Sequence, residues 1–593
     1  MKILLVAVNA KYVHSNLAVY CLKSYAASKG YEAEIAEYTI NQQPDEVLRE
    51  LYGKQADVVA FSCYIWNIEF VKALIRDYKK VSPGTEIWLG GPEVSYRAEE
   101  ILRELPKVRG VMCGEGEETF ARLAARYCAS ETDSKRIEGC VPLQDIPGIV
   151  FWAGDGSMHT TEPALPLDFS RLPFPYGKGE TTVSEETELS DFANRIIYYE
   201  SSRGCPYSCA YCLSSIDKKV RFRDIELVKK ELKFFLEKKV SQVKFIDRTF
   251  NANAKRTREI LEFIKENDNG ITNFHFEIAA ELLTEEQMEL LNSLRLGLVQ
   301  FEIGVQSANE ETLSAVHRKT DFEKLKETVA KVRNRGNVHV HLDLIAGLPK
   351  EDMVSFRNSF NEVYRMRPHQ LQLGFLKVLS GSPMEEMVQE SDILYQSLPP
   401  YEVLATKWLS FDDIIELKKV EEMVEVYYNS GQFLYSMLYL EHFFETPYEL
   451  YDRLAEYYEK QVLSGMKISR GKRYEILLDF ARQEYRKGPR EDITVFEQIL
   501  FFDYCLREKV KGRPDFGRHS HMEKQELKEA YERFGVKREE EGMHGLEKFA
   551  FDPVLTAGNG EKVGKTCVIL FSYDKREPIY GQATRKMCIG DVE

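Results

Sequence analysis

Three cysteines within eight residues constrain this chain more than any other feature. Residues 201–215 read SSRGCPYSCAYCLSS, which places Cys205, Cys209 and Cys212 at i, i+4 and i+7 in a loop that also holds Gly204 and Pro206. The loop directly follows IIYYES, a β-branched and aromatic run that reads as a strand. Thiolates this close in sequence can converge on one metal centre. Three of them suit an iron–sulfur cluster in which one iron keeps no protein ligand and stays open to a chelating molecule. A zinc site normally takes a fourth protein ligand. A buried turn, or a disulfide with a spare thiol, is the plain alternative, and a reducing compartment disfavours the disulfide. The chain has eleven cysteines, an odd number, and the other eight lack framework spacing, so a cytoplasmic setting is expected.

The cysteine loop sits inside a chain of 593 residues, too long for one hydrophobic core. From residue 1 to 130 the runs ILLVAV, EAEIAEY, DVVAFS, EIWLGG and RGVMCG alternate with helical sequence. That alternation predicts an α/β domain, doubly wound and Rossmann-like, with helices on both faces of a parallel sheet. Its ligand belongs outside the carboxyl ends of the strands, at Asn9 to Asn16, Ser62 to Trp66, Gly90 to Glu93 and Gly114 to Glu117. Residues 131–194, with LPLDFSRLPFPYGKG and the acidic SEETELSD, read as a linker carrying one or two short strands.

A second alternation fills residues 195–400: IIYYES, QVKFID, NFHFEI, GLVQFEIGV, HVHLDLIAGLP and QLQLGFLKVLSG. Six such units predict a partial (βα)6 barrel of the TIM type, with reactive groups at the strand carboxyl ends. Residues 401–593 are mainly helical in pattern and close on a strand pair around TCVILFSYD and REPIYGQATRKMCI. MKILLVAVNA reads as a first strand, and no apolar run reaches the roughly 18 to 20 residues of a spanning helix. A formal charge of −15 argues against a broad nucleic-acid or anionic-membrane surface.

CPYSCAYC resembles the CxxxCxxC signature of the radical S-adenosylmethionine superfamily, and the resemblance runs from about residue 195 to 385. It implies that Cys205, Cys209 and Cys212 hold a [4Fe–4S] cluster. It also implies that the open iron binds S-adenosylmethionine and that an electron cleaves the sulfonium to methionine and a 5′-deoxyadenosyl radical. FEIGVQS, LDLIAGLP and FLKVLSGSPM look like strand segments of the coproporphyrinogen-dehydrogenase-like branch, which implies that Glu302, Gln306 and the backbone at Gly347 line the cofactor pocket. Each of these alone serves equally as ordinary barrel interior. FIDRTFN resembles the acidic second-strand segment but has Arg248 after Asp247, so Asp247 is expected to pair with Arg248 or to cap the helix starting near Asn253.

FSCYIWN, WLGGPEVS and CGEGEETF are similar, in order and at strand ends, to cobalamin-binding domains attached to radical S-adenosylmethionine enzymes. The resemblance implies that Gly90, Gly91, Gly114 and Gly116 admit a bulky macrocycle while Ser62 donates a hydrogen bond. The strand pattern alone would serve a nucleotide-binding or purely structural domain as well. The D-x-H-x-x-G motif that supplies a histidine to cobalt is absent, and His14 is expected to be a hydrogen-bonding loop residue. The aromatic run between Tyr427 and Tyr451, the pair in RHSHM, and Cys505, Cys567 and Cys588 are read as core or surface residues.

Together the resemblances imply a radical S-adenosylmethionine enzyme that uses cobalamin, with methyl transfer to an unactivated carbon or phosphorus centre as the leading expectation. They imply an unidentified substrate and a reducing partner such as flavodoxin or ferredoxin. The alternatives are a cobalamin-independent radical oxidoreductase or cyclase, and a non-catalytic iron–sulfur sensor. The C-terminal region looks like an accessory domain of unknown role. Anaerobically reconstituted protein is predicted to hold about four irons per chain, all lost when Cys205, Cys209 and Cys212 become Ala. Iron and sulfide analysis of the triple variant checks this, and near-full metal content would refute it.

Overall fold

The computed structural model describes residues 1–128, 141–177, 195–485, 493–510 and 512–589. They form two compact units: residues 1–301, 314–319 and 376–406 make the first, and residues 302–313, 320–375 and 407–593 the second.

The first unit begins with the strands β1 (Ile3–Asn9), β2 (Glu34–Thr39), β3 (Val58–Ser62), β4 (Glu86–Gly90) and β5 (Gly110–Met112). They are parallel, in the order β2-β1-β3-β4-β5. Every residue of β1 is buried because both sheet faces are covered. Leu4, Val6 and Val8 pack with α2 (Pro44–Gly53), α3 (Ile68–Val81) and the helix Ala98–Glu104. Ile3, Leu5 and Ala7 pack with α1 (Leu17–Ser28) and the helix Glu117–Cys128. The strand order reverses between β1 and β3, which opens the crevice at their carboxyl ends. Two more strands, β6 (Ile149–Trp152) and β7 (Met158–Thr160), extend the sheet antiparallel beyond β5. They arise from the stretch read as a linker, whose part at 178–194, SEETELSD included, lies outside the described residues.

The same unit continues with β8 (Ile197–Tyr199), the short strands β9 (Ser202–Arg203) and β10 (Arg221–Phe222), then β11 (Gln242–Phe245), β12 (Asn273–Glu277) and the first residues of β13 (Val299–Gln306). Here the order is β13-β12-β11-β8, with β11 parallel to both β8 and β12. Behind it, Arg223 and Glu231 form a buried ion pair at 2.6 Å. Arg223 also donates to the carbonyls of Phe169 and Leu172, and Tyr199 donates to Glu231. Each nitrogen of Arg223 and each carboxylate oxygen of Glu231 thus has a partner, the condition under which a buried ion pair is tolerated.

The chain enters the second unit within β13, and there β13 is followed in the sheet by β14 (His339–Ala346) and β15 (Gln370–Phe375), the last two parallel. All six strands of the expected partial barrel are therefore present. Helices dominate thereafter, among them Phe411–Val424, Pro447–Lys460, Arg470–Tyr485 and Ile493–Arg507. Tyr427, Phe433, Tyr439, Tyr448 and Tyr451 are buried among them as core. Cys505, Cys567 and Cys588 are free thiols, the first two buried.

The final sheet has three antiparallel strands where a pair was expected, because HGLEKF (His544–Phe549) joins the two. Its glycine and its mixture of charges hide the alternation from a sequence reading. No described helix is long and apolar enough to cross a membrane.

Candidate active site

A cavity of about 780 Å³ lies in the first unit, where the carboxyl ends of β1, β3, β4 and β5 meet the flanks of the cysteine loop. That is toward the upper end of the roughly 300–1,000 Å³ of small-molecule sites. Ser62, Gly90, Gly91, Gly114 and Gly116 all line it, so the structure gathers the five loop residues singled out in the N-terminal domain. From the other side come Gly204, Leu213, Ser214 and Ile216, immediately before and after the three cysteines.

Leu17, Leu22, Ala60 and Met112 supply apolar wall. Asn16, the last residue of the strand end predicted from sequence but not singled out there, supplies a polar group. It stands at the N-cap position of α1 but makes no capping bond. Its side chain instead donates to Ser62 Oγ at 3.3 Å, and its buried Oδ1 has no partner. An unsatisfied buried acceptor carries a cost of its own. The volume of the cavity, its mostly apolar wall and the open space beside Gly114 fit a large, mostly apolar ligand. His14 lines the cavity too, and its Nδ1 lies 2.7 Å from Tyr198 Oη, in keeping with a hydrogen-bonding role. Burial lowers its pKa, helped by Lys11 and Lys244, which favours the neutral ring.

The two central glycines do different work. At Gly91 φ is 110° and an added Cβ would stand 2.4 Å from the carbonyl oxygen of Cys63. Glycine is required there by the protein's own backbone. At Gly114 φ is 77° and an added Cβ would meet nothing within 4 Å.

Cys205 and Cys209 are buried and Cys212 is half-buried. The loop is held by backbone bonds from Cys205 N to Asp217 O (2.9 Å), Ala210 N to Val316 O (3.0 Å) and Cys212 N to Cys209 O (3.1 Å). Burial pushes the Cys205 thiol above its usual pKa, and charge on Cys212 and Cys209 adds to the shift. Three thiolates this close repel one another, which a cationic metal core relieves, so the donor set fits an iron–sulfur cluster. Arg318, half-buried, reaches within 3.8 Å of Cys209 Sγ and 3.3 Å of Tyr211 Oη. Thr249 Oγ1 lies 3.7 Å from Cys205 Sγ.

Asp247 neither pairs with Arg248 nor caps the following helix, contrary to the expectation from sequence. Asn253 caps that helix itself, accepting from Arg256 N. Asp247 accepts from Ser201 N, Ser201 Oγ and Ser202 Oγ at 2.6–2.7 Å, which fixes the chain just ahead of the cysteines. Full burial pushes its pKa up to about 6 against the pull of these donors.

In the second unit, Glu302 lies within β13 with its carboxylate, the His341 ring and Asp343 mutually within 4.8 Å. His341 Nε2 is 2.9 Å from Asp343 Oδ1. Gln306 ends β13 at φ 72°, its buried Oε1 without a partner, and Gly347 follows β14 at φ 92°. Neither His341 nor Asp343 was singled out from the sequence. Their i, i+2 spacing in HVHLDLIAG is the signal that puts both on one strand face.

Comparison with known families agrees with this arrangement. Residues 3–124 match the B12 binding domain, residues 199–363 the radical SAM superfamily, and residues 389–552 a family described as a protein of unknown function, DUF4080. The chain joins a B12 binding domain to a radical SAM domain. Its radical SAM segment thus begins at β8 and includes the cysteine loop, and its B12 binding segment contributes the four strand ends at the cavity.

Among curated relatives, 2-(S-pantetheinyl)-carbapenam-3-carboxylate methyltransferase of Streptantibioticus cattleyicolor is 25% identical over 450 residues, 68% of this chain and 61% of the relative. The cobalamin-dependent radical SAM methyltransferase TokK of Streptomyces tokunonensis is 26% identical over 353 residues, 56% of this chain and 48% of the relative. The chain thus spans about half to three fifths of the length of these relatives. Among solved structures, the cobalamin-dependent S-adenosylmethionine radical enzyme OxsB, with aqua-cobalamin and S-adenosylmethionine bound, superposes with a TM-score of 0.56. It does so at 14% identity over 85% of this chain and 83% of that one, a likeness of fold.

The contrast between the glycines has a measurable consequence. Gly91→Ala is expected to cost about 2 kcal/mol or more through strain and collision, whereas Gly114→Ala should cost about 1–2 kcal/mol from its left-handed backbone alone and fold normally. Urea unfolding of both variants checks this. A Gly91→Ala protein as stable as the wild type would contradict the placement of the Cys63 carbonyl.

Proposed function

We propose that this chain is a cobalamin-dependent radical S-adenosylmethionine enzyme, with methyl transfer to an unidentified substrate as its reaction. The observation that carries the reading is the single cavity bounded on one side by the B12 binding strand ends and on the other by residues flanking the cysteine triplet. When bound, the cluster supplies the electron that cleaves S-adenosylmethionine, and cobalamin supplies a carrier for the methyl group.

The residues have separable tasks in this reading. Cys205, Cys209 and Cys212 hold the cluster, and the burial of the first two keeps water from that side of it. Arg318 offers a hydrogen bond and positive charge to Cys209 Sγ, and Thr249 Oγ1 stands beside Cys205 Sγ. Glu302, Gln306 and the Gly347 backbone receive S-adenosylmethionine in this reading, Gln306 at the carboxyl end of β13 and Gly347 just after β14. Ser62, Gly90, Gly91, Gly114 and Gly116 shape the cobalamin cradle, where Asn16 holds the Ser62 hydroxyl and Gly91 keeps the β3 and β4 ends together. His14, held by Tyr198 through Nδ1, stays a hydrogen-bonding loop residue in this reading, and the absence of the D-x-H-x-x-G motif assigns no histidine to cobalt. A one-electron donor such as flavodoxin or ferredoxin reduces the protein, and the cytosol, where free thiols persist, is its compartment.

Reduced, anaerobic protein is expected to cleave S-adenosylmethionine to 5′-deoxyadenosine well above the level of the Cys205, Cys209 and Cys212 triple Ala variant. It should also retain hydroxocobalamin through gel filtration. Product at the level of the triple variant would leave a sensor, and cleavage without cobalamin uptake would leave a cobalamin-independent enzyme.

A further inference from the structure

The cysteine loop closes on an unstable neck. Residues 204–220 are enclosed by the two-residue antiparallel ribbon of β9 and β10, in which Arg203 stands directly opposite Arg221. Like charges directly opposite one another weaken a strand pair, and so short a ribbon has little stability of its own. The neck therefore needs an anion between its arginines.

Glu115, in the Gly114–Gly116 turn of the B12 binding domain, is that anion. Its carboxylate lies 3.2 Å from Arg203 Nη1 and 3.2 Å from Arg221 Nη1, with a second bond to Arg221 Nη2. The remaining partners are each committed to one side. Arg203 also pairs with Glu117 and Glu200, both at 2.9 Å, and Arg221 with Asp217 at 3.0 Å. Among the described residues, Glu115 is the one carboxylate shown bridging both arginines. Asp217 carries the grip further, since its carbonyl accepts from Cys205 N. The guanidiniums and carboxylates are only 5–45% exposed, so solvent screens them incompletely.

Glu115 also lines the cavity, between two glycines that do the same. A ligand seated against Gly114 and Gly116 restrains the turn that holds the neck, and a closed neck in turn restrains the wall of the cavity. We propose that Glu115 is a positioning residue that locks the neck of the cysteine loop and couples occupancy of the cavity to retention of the metal centre. The inference rests on the cofactor assignments above. Coupling of this kind is reciprocal, so hydroxocobalamin should slow loss of iron and an intact cluster should tighten hydroxocobalamin.

The test uses the full chain, reconstituted anaerobically with iron and sulfide, and follows iron release to bathophenanthroline with and without hydroxocobalamin. Glu115→Gln should release iron about 10- to 100-fold faster than wild type, the usual cost of losing a group that orients metal ligands. It should also lose the slowing by hydroxocobalamin, which mere loosening of the fold would leave in proportion. Arg221→Gln serves as the second variant if Glu115→Gln fails to fold, with the same outcome expected. The exposed Glu99→Gln should match wild type. Wild-type release rates in both neck variants, or full protection of Glu115→Gln by hydroxocobalamin, would overturn the proposal. A wild-type chain that holds iron but takes up no hydroxocobalamin would refute the cobalamin reading, while release in the two neck variants would still decide the role of Glu115. A wild-type chain holding no iron overturns both.

Discussion

Parallel strand pairing is the constraint on which the rest of the first unit depends. A parallel strand must return by a crossover, so every loop that follows a strand arrives at the same edge of its sheet. β1, β3, β4 and β5 thereby deliver Asn16, Ser62, Gly91 and Gly114 to one crevice, at the reversal of strand order between β1 and β3. β8 delivers the cysteines in the same manner, and β11 delivers Asp247 beside them. Neither edge is a site alone. The cavity arises because the two edges share it, and its charged lining belongs to residues that hold the cysteine loop in place.

Burial sets the character of that place. The polar groups around the triplet are satisfied in detail: Asp247 by two serines and a backbone N–H, Cys205 N by Asp217, Arg203 by three carboxylates. Pairing is not complete everywhere: Asn16 Oδ1 in the first unit and Gln306 Oε1 in the second are among the buried atoms left without a partner.

Much of this was legible in the sequence. β-branched runs identified the first five strands and the six barrel strands, since a strand buried on both faces has little choice but Val, Ile, Leu and aromatic residues. The cysteine spacing and the glycines at strand ends were legible because chemistry or backbone geometry demands those residue types. What stayed hidden depends on pairing at a distance. Arg203 and Arg221 are eighteen residues apart and become neighbours only through a ribbon too short to announce itself. Asp247 resembled a helix cap because its partners lie forty-five and forty-six residues earlier. Gly91 was legible as a special position, but its reason, the Cys63 carbonyl, is a contact between β3 and β4 ends that no periodicity encodes.

The central claim is that one cavity of the first unit holds cobalamin beside the cluster-bearing loop. Anomalous diffraction at the cobalt and iron edges, from crystals of the chain reconstituted with both, tests it most directly. The account predicts an iron peak among Cys205, Cys209 and Cys212, and a cobalt peak within the cavity bounded by Ser62, Gly114 and Ile216. Iron at the triplet with cobalt elsewhere in the chain, or with no cobalt bound, would contradict it.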